Sequence, residues 1–472
     1  MDNTKELHAI KRSKYFNKYY YYILHPSVLF SGLSAAKHYL LIGWKKNYNP
    51  STRFNTCSYL DINTDVRAAG LNPLVHYELY GKHEKRDRFQ KFKLLKIALN
   101  CKLFKRNAIL MADAIHDKHT APIDNFALFE YIMSLHQKDI KVYYILNKEY
   151  KYYSDIKRKY GKHIIPFDTH KTPMFLSRLF FLCFRLRYVL DSFDIFYVLF
   201  GNIFVRSKYT DIIFTQHGIT FFKKYYIRPD VYGQLHLNKT VVSNNVEYNI
   251  FKELGLYKPV NIIKSGLFRW DLLNEKSKTA KNKTIFVYFT YRHYLKQHPD
   301  ILNTKYFKNI FSILNDKRLL SVMKRKHITF NLALHHALLR YIDKSQFKDF
   351  NINLVTEEDI GKIKRTACLL LTDYSSMCFE FLFQNKPVVF YRLDEEDFYN
   401  SERDCEYSRD MKLSDKLIFN VFKNQDKVVD KIIEYINNDF TMEPYYKKKA
   451  SKFFYNKQNI RNNFYNYLKK NW

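Results

Sequence analysis

The 472-residue chain holds only 11 glycines and 11 prolines, a scarcity that argues against long disordered linkers. It has no G-x-G-x-x-G fingerprint and no Walker sequence, so any phosphate it binds is not cradled by a glycine-rich loop. Its six cysteines (Cys57, Cys101, Cys183, Cys368, Cys378 and Cys405) form no C-x-x-C pair. That excludes the usual zinc and dithiol signatures and fits a reduced, cytosolic setting. No compact carboxylate cluster argues for a metal; the one acidic run, "DEED" at 394–397, reads as a solvated loop rather than a cation site. No apolar run supplies the ~20 residues of a membrane span. The nearest, "MFLSRLFFLCFRLRYVL" at 174–190, is interrupted by Arg178, Arg185 and Arg187. It reads as a buried helix of an α/β domain with arginines at its rim, the alternative being a basic amphipathic helix lying on a membrane. The opening "MDNTKELHAIKRSKYF" lacks the apolar core of a signal peptide. Carboxylates are also short: Lys and Arg exceed Asp and Glu by 33. Such a surface attracts polyanions, whether nucleic acid, acidic lipid headgroups or phosphate-rich polymers, and charge alone does not choose among them.

What is present is organised in blocks. The length predicts two or three domains, and 46% apolar residues suffice for large cores. "YYILHPSVLFSGLSAAKHYLLIG" at 21–43 aligns without gaps on "YLDINTDVRAAGLNPLVHYELYG" at 59–81, at an offset of 38. Tyr21 and Tyr59, Val28 and Val66, Gly32 and Gly70, His38 and His76, Tyr39 and Tyr77, and Gly43 and Gly81 coincide. This reads as a duplicated unit of two short helices joined at a Gly-Leu turn, its His-Tyr pairs packing the core rather than ligating anything. From about residue 105 strand-like apolar runs alternate with helical patterns, and after the polar stretch 275–283 the alternation restarts. That pattern predicts parallel sheets. The expected architecture is α/β, two Rossmann-like domains facing a cleft, with an N-terminal all-α repeat region. The expected boundaries are 1–95 for the repeats, 105–274 and 283–440 for the two α/β domains, and 441–472 for a basic, aromatic C-terminal helix. That helix either packs back across the first domain or touches a membrane.

Polar residues gather where strands are expected to end. In "LLLTDYSSMCFEFLFQNKPVVFY" (369–391) an apolar strand stops at Asp373-Tyr374-Ser375-Ser376 and a helical spacing follows. Serine is a good helix N-cap, and helix N–H groups beyond a strand's carboxyl end suit an anion. The corner therefore reads either as a phosphate cradle or as plain capping of the helix. "FTQHGIT" puts His217 and Gly218 at another strand end, "SGLFRWDLL" puts Gly266, Arg269 and Asp271, "YFTYRHYL" puts Thr290 and Arg292, and "LALHHALLR" puts His335. All fall on the edge where such sheets bind ligands.

These segments resemble the CDP-glycerol glycerophosphotransferase family, the teichoic-acid polymerases and primases with relatives in capsule synthesis. The resemblance rests most specifically on "TDYSSMCFEF" with "KPVVFYRLDEEDFYNSERDCEY", and further on "QHGIT", "GLFRWD", "FTYR" and "LALHH", and covers roughly residues 105–440. The chain departs from the family pattern at Ile219, Trp270, Phe289 and His336. The resemblance implies a GT-B-type fold with an acceptor half and a donor half. It implies His217 as the base for the acceptor hydroxyl and His335 as stabiliser of the pyrophosphate or of the leaving nucleotide. Ser375 and Ser376 would hold donor phosphates, Asp373 would shape the turn, Gly218 and Arg269 would belong to the binding site, and Arg292 and Thr290 are weaker phosphate contacts. Histidine, with an ordinary pKa of ~6.5, suits proton transfer, and imidazolium, guanidinium and N–H groups can meet the shifting charge without a metal. No cofactor is expected.

The implied activity is transfer of a polyol-phosphate from a CDP-linked donor to a hydroxyl of a cell-surface glycan or lipid-linked precursor, releasing CMP. The expected partners are that donor, a polyanionic glycan or lipid-linked acceptor and an anionic membrane surface, at the cytoplasmic face of the membrane, with no nucleic acid. The alternative is a GT-B glycosyltransferase using a nucleotide-sugar for capsule or lipopolysaccharide. A non-catalytic polyanion-binding module needs neither the strand-end histidines nor the serine corner.

Overall fold

The structure is a computed structural model, and it describes residues 3–51, 53–84, 86, 98, 101–113, 123–167, 173–192, 209–216, 218–219, 239–253, 258–273, 283–290, 292, 295, 300–334, 352–355, 357–401 and 420–472. His217, His335 and most of the polar stretch 275–283 lie outside these residues.

Among the described residues two parallel sheets are built from short, mostly buried, apolar strands. The first has seven strands: β1 (Ala108–Ala112), β2 (Lys141–Asn147), β3 (Ile164–Phe167), β4 (Leu186–Asp191), β5 (Asp211–Phe214), β6 (Lys239–Val242) and β7 (Ile262–Lys264), in the order β3-β2-β1-β4-β5-β6-β7. The second has six: β8 (Thr284–Tyr288), β9 (Thr329–Ala333), β10 (Ile352–Val355), β11 (Leu369–Thr372), β12 (Val388–Tyr391) and β13 (Val421–Phe422), in the order β10-β9-β8-β11-β12-β13. Every residue of β1, β11 and β12 is buried, as expected of parallel strands covered on both faces. In both sheets the first strand is central and the order reverses beside it, which creates the switch point where doubly wound sheets bind ligands.

In the second sheet Ile285 of β8 lies between Phe330 of β9 and Leu369 of β11. Alternate residues Ile285, Val287, Leu369, Leu371 and Val389 join a core with the helices Lys305–Leu314, Lys317–Arg325 and Gln425–Asn437. Those helices start on side chains that accept from their first N–H groups: Thr304 from Phe307, Asp316 from Arg318 and Leu319, and Asn424 from Lys427. Such caps replace bonds the helix cannot make itself. On the opposite face Phe286 stacks over Phe381 of the helix Cys378–Phe383.

The run at 174–190 resolves into the helix Pro173–Cys183 and strand β4. Leu179, Leu182 and Cys183 are buried while Phe181 is exposed, so the segment is part of the α/β layer. Among the described residues no helix is long and apolar enough to cross a membrane.

Among the described residues of 3–81 the named elements are helices, with one isolated bridge between Ser51 and Phe54. The helices Lys18–Leu24 and Thr56–Ile62 are each followed by a short turn of helix, at Pro26–Phe30 and at Thr64–Ala68. A glycine of positive φ comes next (Gly32 at 68°, Gly70 at 63°), where a side chain would be strained. Then come Ala35–His38 running into the wide turn Tyr39–Gly43, and Pro73–His76 running into Tyr77–Gly81. In each stretch a buried tyrosine hydroxyl meets a histidine Nδ1, Tyr21 with His38 at 2.8 Å and Tyr59 with His76 at 2.9 Å. Gly43 and Gly81 make room for those rings: a Cβ would stand 1.9 Å from the Tyr21 hydroxyl and 2.4 Å from that of Tyr59. The histidines are thus partners of tyrosines inside a core.

The chain forms two compact units, one of residues 1–122, 135–214 and 228–240, the other of 123–134, 215–227 and 241–472. In the second unit the tail is two helices, Pro444–Phe453 and Ile460–Lys470, not one. Phe464 lies against Phe268, and Asp271 accepts from the N–H groups of Ile460 and Arg461, so the tail packs on residues of the 241–273 segment.

Candidate functional site

The switch point of the second sheet lies between β8 and β11, and the chain leaving each strand builds one corner. Thr372 Oγ donates to the Tyr288 carbonyl at 2.5 Å. The next residue, Asp373, is wholly buried; its Oδ1 accepts from Thr290 N at 2.8 Å and from Tyr374 N at 2.6 Å. Its Oδ2 faces Arg292 Nη2 at 2.7 Å.

Arg292 is also wholly buried. It grips Asp394 through two parallel bonds of 2.8 Å and donates to the Thr290 carbonyl, the geometry in which guanidinium pairs most strongly. Phe398, stacked on Tyr374, lies 4.4 Å from the guanidinium carbon. Burial alone would favour the neutral form, but Asp373 and Asp394 outweigh it and raise the pKa further. Arg292 is placed here to lock the loops after β8, β11 and β12, its donors turned to carboxylates. Asp394, read from sequence as part of a solvated acidic loop, is instead a buried partner of that arginine, while Glu395 pairs with Arg392 and Lys423. Among the described residues no group of three His, Cys, Asp or Glu could hold a metal ion.

The serine corner differs from the expected helix start. The helix begins at Cys378, and Ser375–Met377 form a turn before it. Ser375 Oγ accepts from Met377 N at 3.2 Å, and the N–H groups of Cys378, Phe379 and Glu380 donate to the carbonyls of Ser375, Ser376 and Met377. Tight i to i+3 bonding consumes the N–H groups that an open helix end would present. The exposed polar side chain of the corner is Ser376.

The segment after β5 comes to this serine. A Cβ on Gly218 would lie 3.3 Å from Ser376 Oγ, so the Gly218 backbone passes near the hydroxyl with room for no more than a small side chain between them. Gln216 has a φ of 61°, and its amide donates to the Val241 carbonyl at 2.6 Å. That bond holds the bend at Gln216, beyond which Gly218 lies near the corner.

Behind the turn, Glu380 joins the corner to a second pair of elements. Its carboxylate meets Arg269 Nε at 2.7 Å and Lys364 Nζ at 2.8 Å. Arg269 in turn donates from N and Nη1 to Asp124, at the start of the helix Asp124–Ser134. Burial would raise the Glu380 carboxyl, yet Lys364 and Arg269 hold it down at about 2. The structure thus brings Gly218 to Ser376, and Thr290, Arg292 and Asp373 to one buried network. Arg269 sits in a separate carboxylate cluster one helix turn behind the corner. Sequence reasoning missed Glu380, Asp124, Lys364 and the role of Asp394; the signal available was an acidic residue inside an otherwise apolar helix, "MCFEFLF", since a buried carboxylate requires partners. Trp270 and Phe289, both departures from the family pattern, are filled in by aromatics: Trp270 by Phe383 and Phe454, Phe289 by Tyr306.

Two parallel sheets, each ordered as in doubly wound domains, with a serine corner at the second switch point, define an α/β protein of the two-sheet, Rossmann-like class. Residues 95–469 match the CDP-glycerol:poly(glycerophosphate) glycerophosphotransferase family, and the chain belongs to it. The match reaches beyond 105–440 on both sides and takes in both tail helices. The chain is 27% identical over 366 residues to the minor teichoic acid biosynthesis protein GgaB of Bacillus subtilis (strain 168), covering 72% of this chain and 37% of that protein. It is 28% identical over 233 residues to a teichoic acid poly(ribitol-phosphate) polymerase of Bacillus spizizenii, covering 45% of this chain and again 37% of that protein. The chain thus spans little more than a third of either relative. In fold it is similar to the wall teichoic acid polymerase TagF, with a TM-score of 0.56 at 12% identity over 87% of this chain and 97% of that one.

Proposed function

We propose that this chain transfers a polyol-phosphate, glycerol-phosphate or a close relative, from a CDP-linked donor to a hydroxyl of a cell-surface glycan or its lipid-linked precursor. The acceptor oxygen forms a bond to the donor's polyol-bearing phosphorus, the bond from that phosphorus to the bridging oxygen breaks, and CMP leaves. His217 takes the acceptor proton and His335 meets the charge on the departing CMP. The Ser376 hydroxyl contacts a donor phosphate, Ser375 and Asp373 hold the turn, and Thr290 and Arg292 anchor it from behind, while Arg269 fixes Glu380. The observation carrying this reading is the approach of Gly218 to Ser376 Oγ, since Gly218 follows His217 directly in the chain. Within the molecule, 1–95 is a tandem helical repeat region, 105–274 serves the acceptor, 283–440 the donor, and 441–472 a basic C-terminal segment. The protein works peripherally at the cytoplasmic face of the membrane, where lipid-linked acceptors lie.

The test is incubation with CDP-glycerol, CDP-ribitol and common nucleotide-sugars in the presence of a lipid-linked acceptor. CMP release from a CDP-alditol is the expected result. His217→Ala lowers the rate about 100- to 10,000-fold, the usual contribution of a general base. Ser376→Ala lowers it about 10- to 100-fold, the worth of a hydrogen bond to a charged group. Release of a nucleoside diphosphate from a nucleotide-sugar, with CDP-alditols untouched, would overturn the assignment in favour of sugar transfer.

A further inference from the structure

The tail encloses a cavity that the serine corner does not use. Its volume is about 610 Å³, within the range of ligand sites, and three stretches of the second compact unit line it. One is the end of the helix Cys378–Phe383 with Asn385 just beyond it. Another is the face of the helix Pro444–Phe453 that carries Lys447 and Lys448. The third is Lys457-Gln458, between the two tail helices. The helix Cys378–Phe383 begins just after Ser376 and ends at the cavity, so the cavity lies at the far end of that helix from the serine corner.

Packing fixes the walls. Phe379 stacks on Phe453, and Trp270 and Phe383 pack on Phe454, which ties the helix Pro444–Phe453 to the helix Cys378–Phe383. The Asn456 amide donates to the Ser265 carbonyl at 3.3 Å and holds the stretch that carries Lys457. Lys457 Nζ donates to Asn385 Oδ1 at 3.2 Å, and Asn385, with a φ of 57°, takes the left-handed position that ends a helix. The half-buried ammonium lies 5.7 Å from the Phe383 ring and 5.9 Å from that of Phe454. Burial, and then the nearby Lys447 ammonium, hold its pKa below the ordinary lysine value. No Asp or Glu lines the cavity. Glu443, at the start of the same helix, is engaged by Lys431 and Tyr435. Like charges gathered without a carboxylate cost energy that a bound anion relieves.

The lining also indicates the kind of anion. A cavity of this size takes a ligand of many atoms rather than a lone phosphate. Side-chain amides at Gln384, Asn385 and Gln458 share the walls with the ammonium groups, and amides suit hydroxyls. The one ring in the lining, Phe383, is 1% exposed, so a nucleobase finds no platform to stack on. A chain of hydroxyl-bearing carbons joined by phosphodiesters meets all three conditions.

We propose that this cavity holds a phosphodiester segment of a polyol-phosphate chain, at a site separate from the serine corner. The identity of the chain rests on the transfer reading above, but binding is measured without donor turnover, so the two fail separately. A fluorescently labelled oligomer of glycerol-phosphate is titrated with the full chain, and unlabelled oligomer, inorganic phosphate, CDP-glycerol and single-stranded DNA are the competitors. The variant Lys447→Gln/Lys448→Gln changes two exposed side chains of the cavity. The variant Lys469→Gln/Lys470→Gln removes the same charge at the end of the last helix. Melting curves of both are compared with the parent's. Expected are oligomer binding by the parent that weakens with salt, and displacement by unlabelled oligomer at lower concentration than by any other competitor. The first variant loses about tenfold or more in affinity, the worth of one or two bonds to a charged group, while the second changes by less than about twofold. Absence of oligomer binding by the parent, or equal weakening in the two variants, would overturn the proposal. So would displacement by CDP-glycerol or phosphate at lower concentration than by oligomer, which assigns the cavity to a nucleotide or a free anion. Tighter competition by DNA would likewise overturn it in favour of nucleic acid.

Discussion

Protonating Glu380 tests how firmly the serine corner is held from behind. The carboxylate is 3% exposed and lies between Arg269 and Lys364. Burial pushes its pKa up, the two cations pull it further down, and it settles at about 2 against an ordinary 4.5. A carboxyl whose folded pKa is lowered gives up its proton more readily in the folded chain than in the unfolded one. The stability this contributes is fully present above the unfolded value of 4.5, declines as pH falls from there, and is gone below about 2. The distance between the two values is worth on the order of 3 kcal/mol at neutral pH, of which about 2 kcal/mol is lost by pH ~3. Glu380→Gln removes the titrating group and leaves Arg269 and Lys364 without this partner. At pH ~7 it is destabilised by about 3 kcal/mol, toward the low end for breaking a buried pair, because Arg269 keeps Asp124. Urea unfolding of both proteins at pH ~7 and pH ~3 measures the gap between them. The gap should close by about 2 kcal/mol on acidification. Parallel behaviour of the two proteins across that range would refute the placement of an ionised, doubly paired Glu380.

Two further perturbations probe the rest of the scaffold. Arg292→Met leaves Asp373 and Asp394 buried without their cation, which costs about 3–5 kcal/mol and lowers the melting temperature of the carrying unit by about 6–20 °C. Arg292→Lys recovers little, because one ammonium cannot reproduce the forked bonds to Asp394 together with the contact to Asp373; a melting curve within ~2 °C of the parent for either variant contradicts the network. Gly43→Ala drives a methyl into the Tyr21 hydroxyl, 1.9 Å away, and destabilises the N-terminal helices by about 1–3 kcal/mol. Adding Tyr21→Phe removes the clashing oxygen, so limited proteolysis of residues 3–51 should show the double variant more resistant than Gly43→Ala alone.

The strands were legible because buried parallel strands are written as uninterrupted apolar runs: "AILMA", "LLLT" and "VVFY" admit little else between polar ends. The serine corner was legible as a place but not as a shape. Ser375 as a helix cap and Ser375 as a turn residue use the same hydroxyl and the same neighbours, and the choice is made by i to i+3 bonding that leaves no periodic trace. Arg292 looked like an anion-facing arginine since it follows a strand end. Its true partners, Asp373 and Asp394, lie 81 and 102 residues away in sequence, and only the strand order β8-β11-β12 brings them together. The tail read as one helix because its composition is uniform. Pro444 at a first helical turn and the positive φ of Asn459 divide it, and a proline in that position is the sequence mark of a new start.

The corner spends its rigid chemistry out of sight of solvent, and that division follows from where it is built. At a switch point the loops after β8, β11 and β12 diverge, so nothing in the sheet itself fixes their spacing. A wholly buried arginine holding one carboxylate from each of two loops and a carbonyl from the third fixes all three at once. Because its donors point in set directions, it tolerates only one arrangement. The exposed side has less: one serine hydroxyl with one glycine close by. The bend that brings the glycine there sits at Gln216, in a backbone region that disfavours L-residues by about 1–2 kcal/mol. A buried amide bond to Val241 offsets that strain. Strain held on one side and a locked ion pair on the other hold Gly218 near Ser376, and on the reading proposed above that rigidity is what would orient a donor phosphate at the hydroxyl.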